Sequence, residues 1–397
     1  MSPATDGGVT VQVEGQVEGQ VEGRVEGQVR LGERGDVGAQ VDGRAGTSPG
    51  AAGTSWTGRT APGGHAPAPD DGVRADWSVG LDIGGTKVLG VLLASTPGAA
   101  PVVHGSVRVP TQRGHAGVVA SAAEAVEALC AHAGLAVDDL TGVGAGVPGV
   151  VEPLTGAVSH AVNLGIDGTD VPLGELLRER LGGVPVGVEN DLNAAALGAA
   201  ELLGLGGDLA YLALGTGVAA GLLLDGRLRR GHLGAAGEIG HVPYVVDGPP
   251  CPCGQRGCLE LYASGSAIDA AWPSRTGRPA PAEVFEAAAA GDREALAVQS
   301  RFVEAVAAAV RMLVLTCDVE HVVLGGGVAE VGAPLLEEVA AAVRRQAEGS
   351  AFLRSLHVAE RLSLVPRELQ VAAVGAALAA RRSPVSPVVT PENQAVR

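Results

Sequence analysis

The sequence predicts an α/β protein of two lobes, and three observations predict it. A strand, glycine bend and strand recur as a unit at residues 77–93 and again at 211–228. Short β-branched runs alternate with long Ala-rich helical runs through residue 382, the pattern of sheets covered by helices. One His and three Cys crowd a single Gly/Pro-rich loop, residues 241–258. The length of 397 residues allows two domains, each with its own core.

In the first unit Val79, Leu81 and Ile83 alternate inward, and Gly84 and Gly85 form the bend. With no Cβ in the way, backbone N–H groups there can approach an anion. Asp82 ends the first strand, where a carboxylate would meet Mg²⁺ directly or through water. Thr86 adds a hydroxyl, and Lys87 is the only lysine in the chain. The second unit bends at Gly215, Thr216 and Gly217, then turns tightly at Asp225-Gly226. Two such bends a domain apart make facing half-sites for one phosphorylated ligand. No G-x-x-x-x-G-K-[ST] run exists, so this is not a P-loop. Phosphate binding by paired hairpins resembles the actin-like, sugar-kinase type of ATPase fold.

The charge balance narrows the partners. A net charge of −16 argues against nucleic acid, whose phosphates need a basic face. Neither an apolar run of roughly 18 residues nor the apolar core of a signal peptide stands out, so a cytoplasmic protein with no membrane partner is expected. Residues 1–76 read as a disordered, low-complexity tail. Val13, Val17, Val21, Val25 and Val29 recur at helical spacing, but Gly15, Gly19, Gly23 and Gly27 recur with them. Each of those glycines costs a helix roughly 1 kcal/mol against Ala. Residues 383–397 form a Pro-rich tail.

Further along, residues 117–132 predict a helix, and residues 141–151 a strand entering the Gly146-Val147-Pro148-Gly149 loop. The Asn163 amide suits either a sugar hydroxyl or a turn. A β-branched strand at 184–188 ends in Glu189-Asn190-Asp191, and a long helix runs on through 203. Asp191 thus stands at a strand-to-helix junction, where it serves either as an N-cap or as a general base in a cleft.

The most specific signal is H-x9-C-x-C-x4-C, formed by His241, Cys251, Cys253 and Cys258. One His and three Cys match a closed, tetrahedral, structural Zn²⁺ site. Four protein ligands leave no open position, so the metal shapes the loop and does no chemistry. Glu238 and Glu260 flank the loop as surface carboxylates or as acceptors for a polyhydroxyl ligand. Cys130 and Cys317 lie in apolar helical runs and are expected in the core. Residues 281–318 are mostly helical. A buried strand then ends in Gly325, Gly326 and Gly327, which would let adenine and ribose approach the backbone. Residues 371–382 predict the last helix.

In order, these motifs resemble those of the ROK family of repressors and sugar kinases, and above all its bacterial glucokinases. The resemblance spans residues 77–382. It implies an ATP-dependent hexokinase with the two-lobed actin-like/hexokinase ATPase (ribonuclease H-like) fold and a zinc-binding loop. It further implies lobes at 77–190, with 371–382 returning to the first, and at 191–370. Asp191 would be the catalytic base, and Asn190, Asp191, Glu238, His241 and Glu260 would hold the sugar. The two bends would hold the ATP phosphates with Mg²⁺, and the triple glycine the adenosine. A homodimer or homotetramer is expected. The acceptor implied is glucose at its 6-hydroxyl, with N-acetylmannosamine, N-acetylglucosamine, fructose and mannose as alternatives. A sugar-responsive transcription regulator without kinase activity is the rival. Three departures stand out: Ala219-Ala220, where two glycines are usual, loosens phosphate approach at the second bend; Leu192, where Ala is usual, changes packing; and Pro366-Arg367-Glu368-Leu369-Gln370 replaces the usual turn before the last helix and bears on the packing there.

Overall fold

The computed structural model describes residues 55–58, 76–96, 98–168 and 170–382. The Val/Gly repeat and the Pro-rich C-terminal tail lie outside the described residues.

Six strands make the first sheet: β1 (Ser55–Gly58), β2 (Asp76–Ile83), β3 (Lys87–Ser95), β4 (Val102–Pro110), β5 (Leu140–Val147) and, beyond the small hairpin of β6 (Val150–Glu152) and β7 (Ala157–Ser159), β8 (Val186–Asn190). Their spatial order is β1-β4-β3-β2-β5-β8. The pairs β4-β3 and β3-β2 are antiparallel, and β2-β5 and β5-β8 are parallel. Helix α1 (His115–Ala133) covers β3 and β4, and α2 (Leu173–Arg180) packs beside it. Strand β1 is a departure from expectation, because residues 55–58 were read as tail and instead pair antiparallel with β4. The strand expected at 141–151 is broken at Pro148-Gly149 into β5 and β6.

The second sheet repeats the plan. After α3 (Asp191–Leu202) come β9 (Leu209–Leu214), β10 (Val218–Leu224) and the short β11 (Arg227–Leu228). Beyond the cysteine loop come α4 (Glu260–Ala263), α5 (Gly265–Ala271), α6 (Ala280–Ala289) and α7 (Arg293–Cys317). The chain closes with β12 (His321–Gly325), α8 (Ala333–Ala347), α9 (Ala351–Ser355), β13 (Leu362–Leu364) and α10 (Val371–Arg382). The order is β11-β10-β9-β12-β13, again an antiparallel hairpin followed by parallel strands. In both sheets the glycine bend is the hairpin, β2-β3 or β9-β10. This duplicated α/β arrangement is the two-lobed actin-like ATPase fold expected from the sequence.

Helices α3 and α10 lie against each other between the sheets, and glycines set how closely. A Cβ built on Gly80 (β2), Gly144 (β5) or Gly187 (β8) would fall within 3 Å of α10 backbone at Ala373, Ala377 or Ala380. Between the helices, a Cβ on Gly375 would fall 2.6 Å from the Ala194 carbonyl carbon, and one on Gly198 2.7 Å from that of Val371. On the far side, Gly221 of β10 sits against the Leu192 carbonyl. The segment 366–370 also docks: Gln370 Nε2 donates to Ser106 Oγ at 3.1 Å, and Leu369 packs beside Val371.

Among the described residues, α1 alone has the length and composition to cross a membrane. Its Val118, Ala122, Val126 and Leu129 are fully buried in the first core. Cys130 is buried as expected, whereas Cys317, in the last turn of α7, is only half-buried.

Candidate active site

The glycine bends are closed by their own backbone. Gly84 N–H donates to Lys87 O at 3.0 Å, and Gly215 N–H to Gly217 O at 3.0 Å. Those N–H groups hold the turns, and the N–H groups of Gly85, Thr86, Thr216 and Gly217 lie outside these bonds. Thr86, Lys87 and Thr216 are exposed. Thr111 braces the first bend: its hydroxyl donates to Gly84 O at 2.7 Å and its N–H to Thr86 O at 3.1 Å. The absent Cβ has a second use here. A Cβ on Gly85 would fall 2.9 Å from Asn163 O, so the Asn163 loop packs its backbone on the first bend.

The second bend leans on Glu260, whose Oε2 accepts Val218 N–H at 3.1 Å and lies against Gly217. Ala220, which replaces a usual glycine, turns its methyl into the second core, and its N–H donates to Gly237 O at 2.8 Å. At the triple glycine, Gly325 abuts the ring of Tyr211 and Gly326 has a φ of 84°. Gly327 faces open space.

Pairing registers place Asp82 beside Gly146, and Gly146 beside Glu189, at the carboxyl ends of three parallel strands. That end of an open α/β sheet is where ligands bind. The N-cap of α3 is Asn190, not Asp191: Asn190 Oδ1 accepts the N–H of Leu192 at 3.0 Å and of Asn193 at 3.2 Å. Its Nδ2 donates to Gly149 O at 3.1 Å, leaving one amide hydrogen for a ligand. Asp191 Oδ1 accepts Leu192 N–H at 2.9 Å. Burial pushes the Asp191 carboxyl above the usual carboxylate range, and N–H groups at the helix start pull the other way. The facing Glu238 charge raises it further.

Asp82 is pushed up to about 6, by burial first and by the Asp191 charge second, with Lys87 opposing. The Asp82 carboxylate, with the Asp191 charge raising its pKa and Lys87 lowering it, offers an oxygen ligand suited to a hard divalent cation. Tyr211, unremarked in the sequence, joins them from the other sheet. Burial, with the charges of Asp82 and Asp191, pushes its phenol up to about 12, while the Gly326 N–H donates to it.

The ligand atoms of His241, Cys251, Cys253 and Cys258 lie within 4.8 Å of one another. The Cys253 and Cys258 sulfurs are 3.7 Å apart, close to the ~3.8 Å edge of a tetrahedron with Zn–S bonds of about 2.3 Å. His241 Nδ1 is buried with no protein hydrogen-bond partner. Gln255 braces the loop, donating to His241 O at 3.1 Å. The donor set fits Zn²⁺.

Residues 78–382 match the family model described as ROK family. The chain belongs to the ROK family. Among ROK relatives, a glucokinase of Halalkalibacterium halodurans is 35% identical over 303 residues, covering 70% of this chain and 89% of its own. An N-acetylmannosamine kinase of Vibrio cholerae is 32% identical over 255 residues, covering 63% and 84%. A ROK family glucokinase from Streptomyces griseus, solved in complex with glucose and AMPPNP, aligns with a TM-score of 0.60 and 30% identity. That alignment covers 77% of this chain and all of the other, 100%.

Sequence reasoning missed Tyr211, Arg230 and the role of Glu189. Glu189 is 3% exposed, and both of its oxygens are bonded. Oε1 accepts Asn190 N–H and Asn193 Nδ2, each at 3.0 Å. Oε2 accepts Arg230 Nε at 2.8 Å and Nη2 at 2.5 Å. A carboxylate beside two asparagines hints at the local turn, but nothing in the sequence points from it to Arg230.

Proposed function

We propose that this ROK protein is an ATP-dependent sugar kinase that transfers the γ-phosphoryl group of ATP to a hexose, with glucose the acceptor at its 6-hydroxyl. The reading is supported by its sugar-kinase relatives and carried by one observation. The Asp191 carboxylate, in the first turn of the helix that Asn190 caps, stands at the strand ends and interacts with the charges of Asp82 and Glu238. Asp191 takes the proton of the attacking hydroxyl, which makes the alcohol nucleophilic as the phosphoryl group arrives in line. The bends at 84–87 and 215–217 hold the phosphates through backbone N–H groups, and residues 325–327 lie under the nucleoside. Asn190, Glu238, His241 and Glu260 orient the sugar; a carboxylate accepting two hydroxyl hydrogens fixes a ring far better than one bond does. Closure of the lobes at 77–190 and 191–370 excludes water.

Asp82 would hold Mg²⁺, which when bound neutralises phosphate charge. His241, Cys251, Cys253 and Cys258 would hold Zn²⁺, which when bound fixes the loop that ends in Glu260. The test is coupled ADP release over glucose, mannose, fructose, N-acetylglucosamine and N-acetylmannosamine. Glucose should give the highest kcat/KM, and Asp191→Asn should lower kcat by about 10²- to 10⁴-fold with the fold intact. Absence of hexose-dependent turnover would sink the kinase reading, and an unchanged kcat in the variant would remove Asp191 from the base role.

A further inference from the structure

We infer that the Glu189–Arg230 ion pair is an interlobe latch that positions Asp191 against Glu238, and so sets both sugar affinity and turnover. The inference rests on the kinase reading for its catalytic consequence. Glu189 is the next-to-last residue of β8 in the first sheet, one residue before the N-cap of α3. Arg230 follows β11, the edge strand of the second sheet. Among the described residues, no other ion pair has a carboxylate as buried: the side chain of Glu189 is 4% exposed and that of Arg230 34%. In the other pairs the carboxylate side chain is 34–81% exposed.

Each end of the pair is built into a segment that carries a proposed site residue. On one side, Glu189 Oε1 holds the Asn190 N–H and the Asn193 amide, fixing the turn from which Asp191 projects. On the other, Arg230 O accepts Ala236 N–H at 3.1 Å. That bond closes a short loop whose next residues are Gly237, packed on Ala220, and then Glu238. The Arg230 loop also meets the first lobe at another point: a Cβ on Gly234 would touch Val150 of the β6 hairpin at 3.6 Å. The fork of Arg230, with Nε and Nη2 on one oxygen, fixes direction as well as distance.

A buried charge left without its partner is strained, so the single variants should be worse than the pair of changes together. The test is a cycle of Glu189→Gln, Arg230→Met and the double variant, with Arg230→Lys as the conservative control. Readouts are kcat, KM for hexose and for ATP, hexose affinity by calorimetry, and folded fraction by circular dichroism. Arg230→Met should weaken hexose binding and lower kcat by about tenfold or more each, as expected of misplaced groups. The ATP KM should stay within about twofold. Lysine should restore part of the loss, and the double variant should lose less than the product of the singles.

Wild-type enzyme without turnover would overturn the kinase reading, and calorimetry would still test the latch. Hexose affinity and kcat per folded molecule within about twofold of wild type in Arg230→Met, or full additivity in the cycle, would overturn the latch. If the Arg230 variants do not fold, Glu189→Gln decides in the same way, since it keeps the shape and the Asn190 and Asn193 bonds.

Discussion

The closeness of α3 and α10 gives a prediction in which two opposing effects can be weighed. Gly375→Ala puts a methyl 2.6 Å from the Ala194 carbonyl carbon and 2.7 Å from Gly198 N, where ordinary contact begins at 3.4 Å. The Ala194 carbonyl oxygen is nearer still, so the helices must part by more than about 1 Å, an overpacking change that costs about 1–3 kcal/mol. Alanine returns about 1 kcal/mol of helix propensity. Relief is blocked on the other side, because α10 rests on Gly80, Gly144 and Gly187 with no slack, so the cost falls at the upper end. The net is a loss of about 2 kcal/mol, read as a lower urea midpoint with unchanged slope. Asp191 sits at the head of α3, and a shift of about 1 Å there should lower kcat by about 10²-fold. Gly349→Ala, where nothing lies within 4 Å, is the control and should change stability by under about 0.5 kcal/mol. A Gly375→Ala protein as stable as wild type would refute the close-packing argument, and one destabilised but fully active would break the link from α3 to the chemistry.

Three further outcomes are expected. Asp82 has a folded pKa of about 6 against an ordinary 3.8, so the native state binds the extra proton. Ligand-free stability should therefore rise as pH falls from about 6 towards 4, and Asp82→Asn should remove that slope. At pH 7.5 the variant should be more stable by about 2–3 kcal/mol while losing most Mg²⁺-dependent turnover; a variant less stable than wild type there would contradict the burial argument. Asp191 is shifted in the same direction, so the acid limb of kcat/KM should lie above the usual carboxylate pKa near 4; a limb at or below that value would count against Asp191 as the ionised base. Cys258→Ser should lower bound zinc and loosen the loop so that trypsin cuts after the already exposed Arg256, whereas unchanged metal content would show that the four residues are not the ligands.

The hairpins, the His/Cys loop and helices α1, α3, α7 and α10 were legible because each is written in local terms. Glycine at a bend, alternation in residues 79–83 and the spacing from His241 to Cys258 all act over a few residues. The sheet order was not legible, because which strands lie side by side depends on segments far apart in the chain. The edge strand at 55–58 was not legible, because its pairing with β4 depends on a sheet edge made elsewhere in the chain.

The sequence by itself determined the two glycine hairpins and the long helices, which family the chain belongs to, and that Asp191 lies where a strand meets a helix. Only the tertiary structure decided that Asn190 does the capping, that Gly85 makes room for the Asn163 loop, that Tyr211 lies against Gly325, and that Glu189 is gripped by Arg230. The physical reason is range. Turns and caps are satisfied by neighbours in the chain, whereas a buried charge, a close helix crossing or a shifted carboxyl takes its energy from groups brought near only by folding.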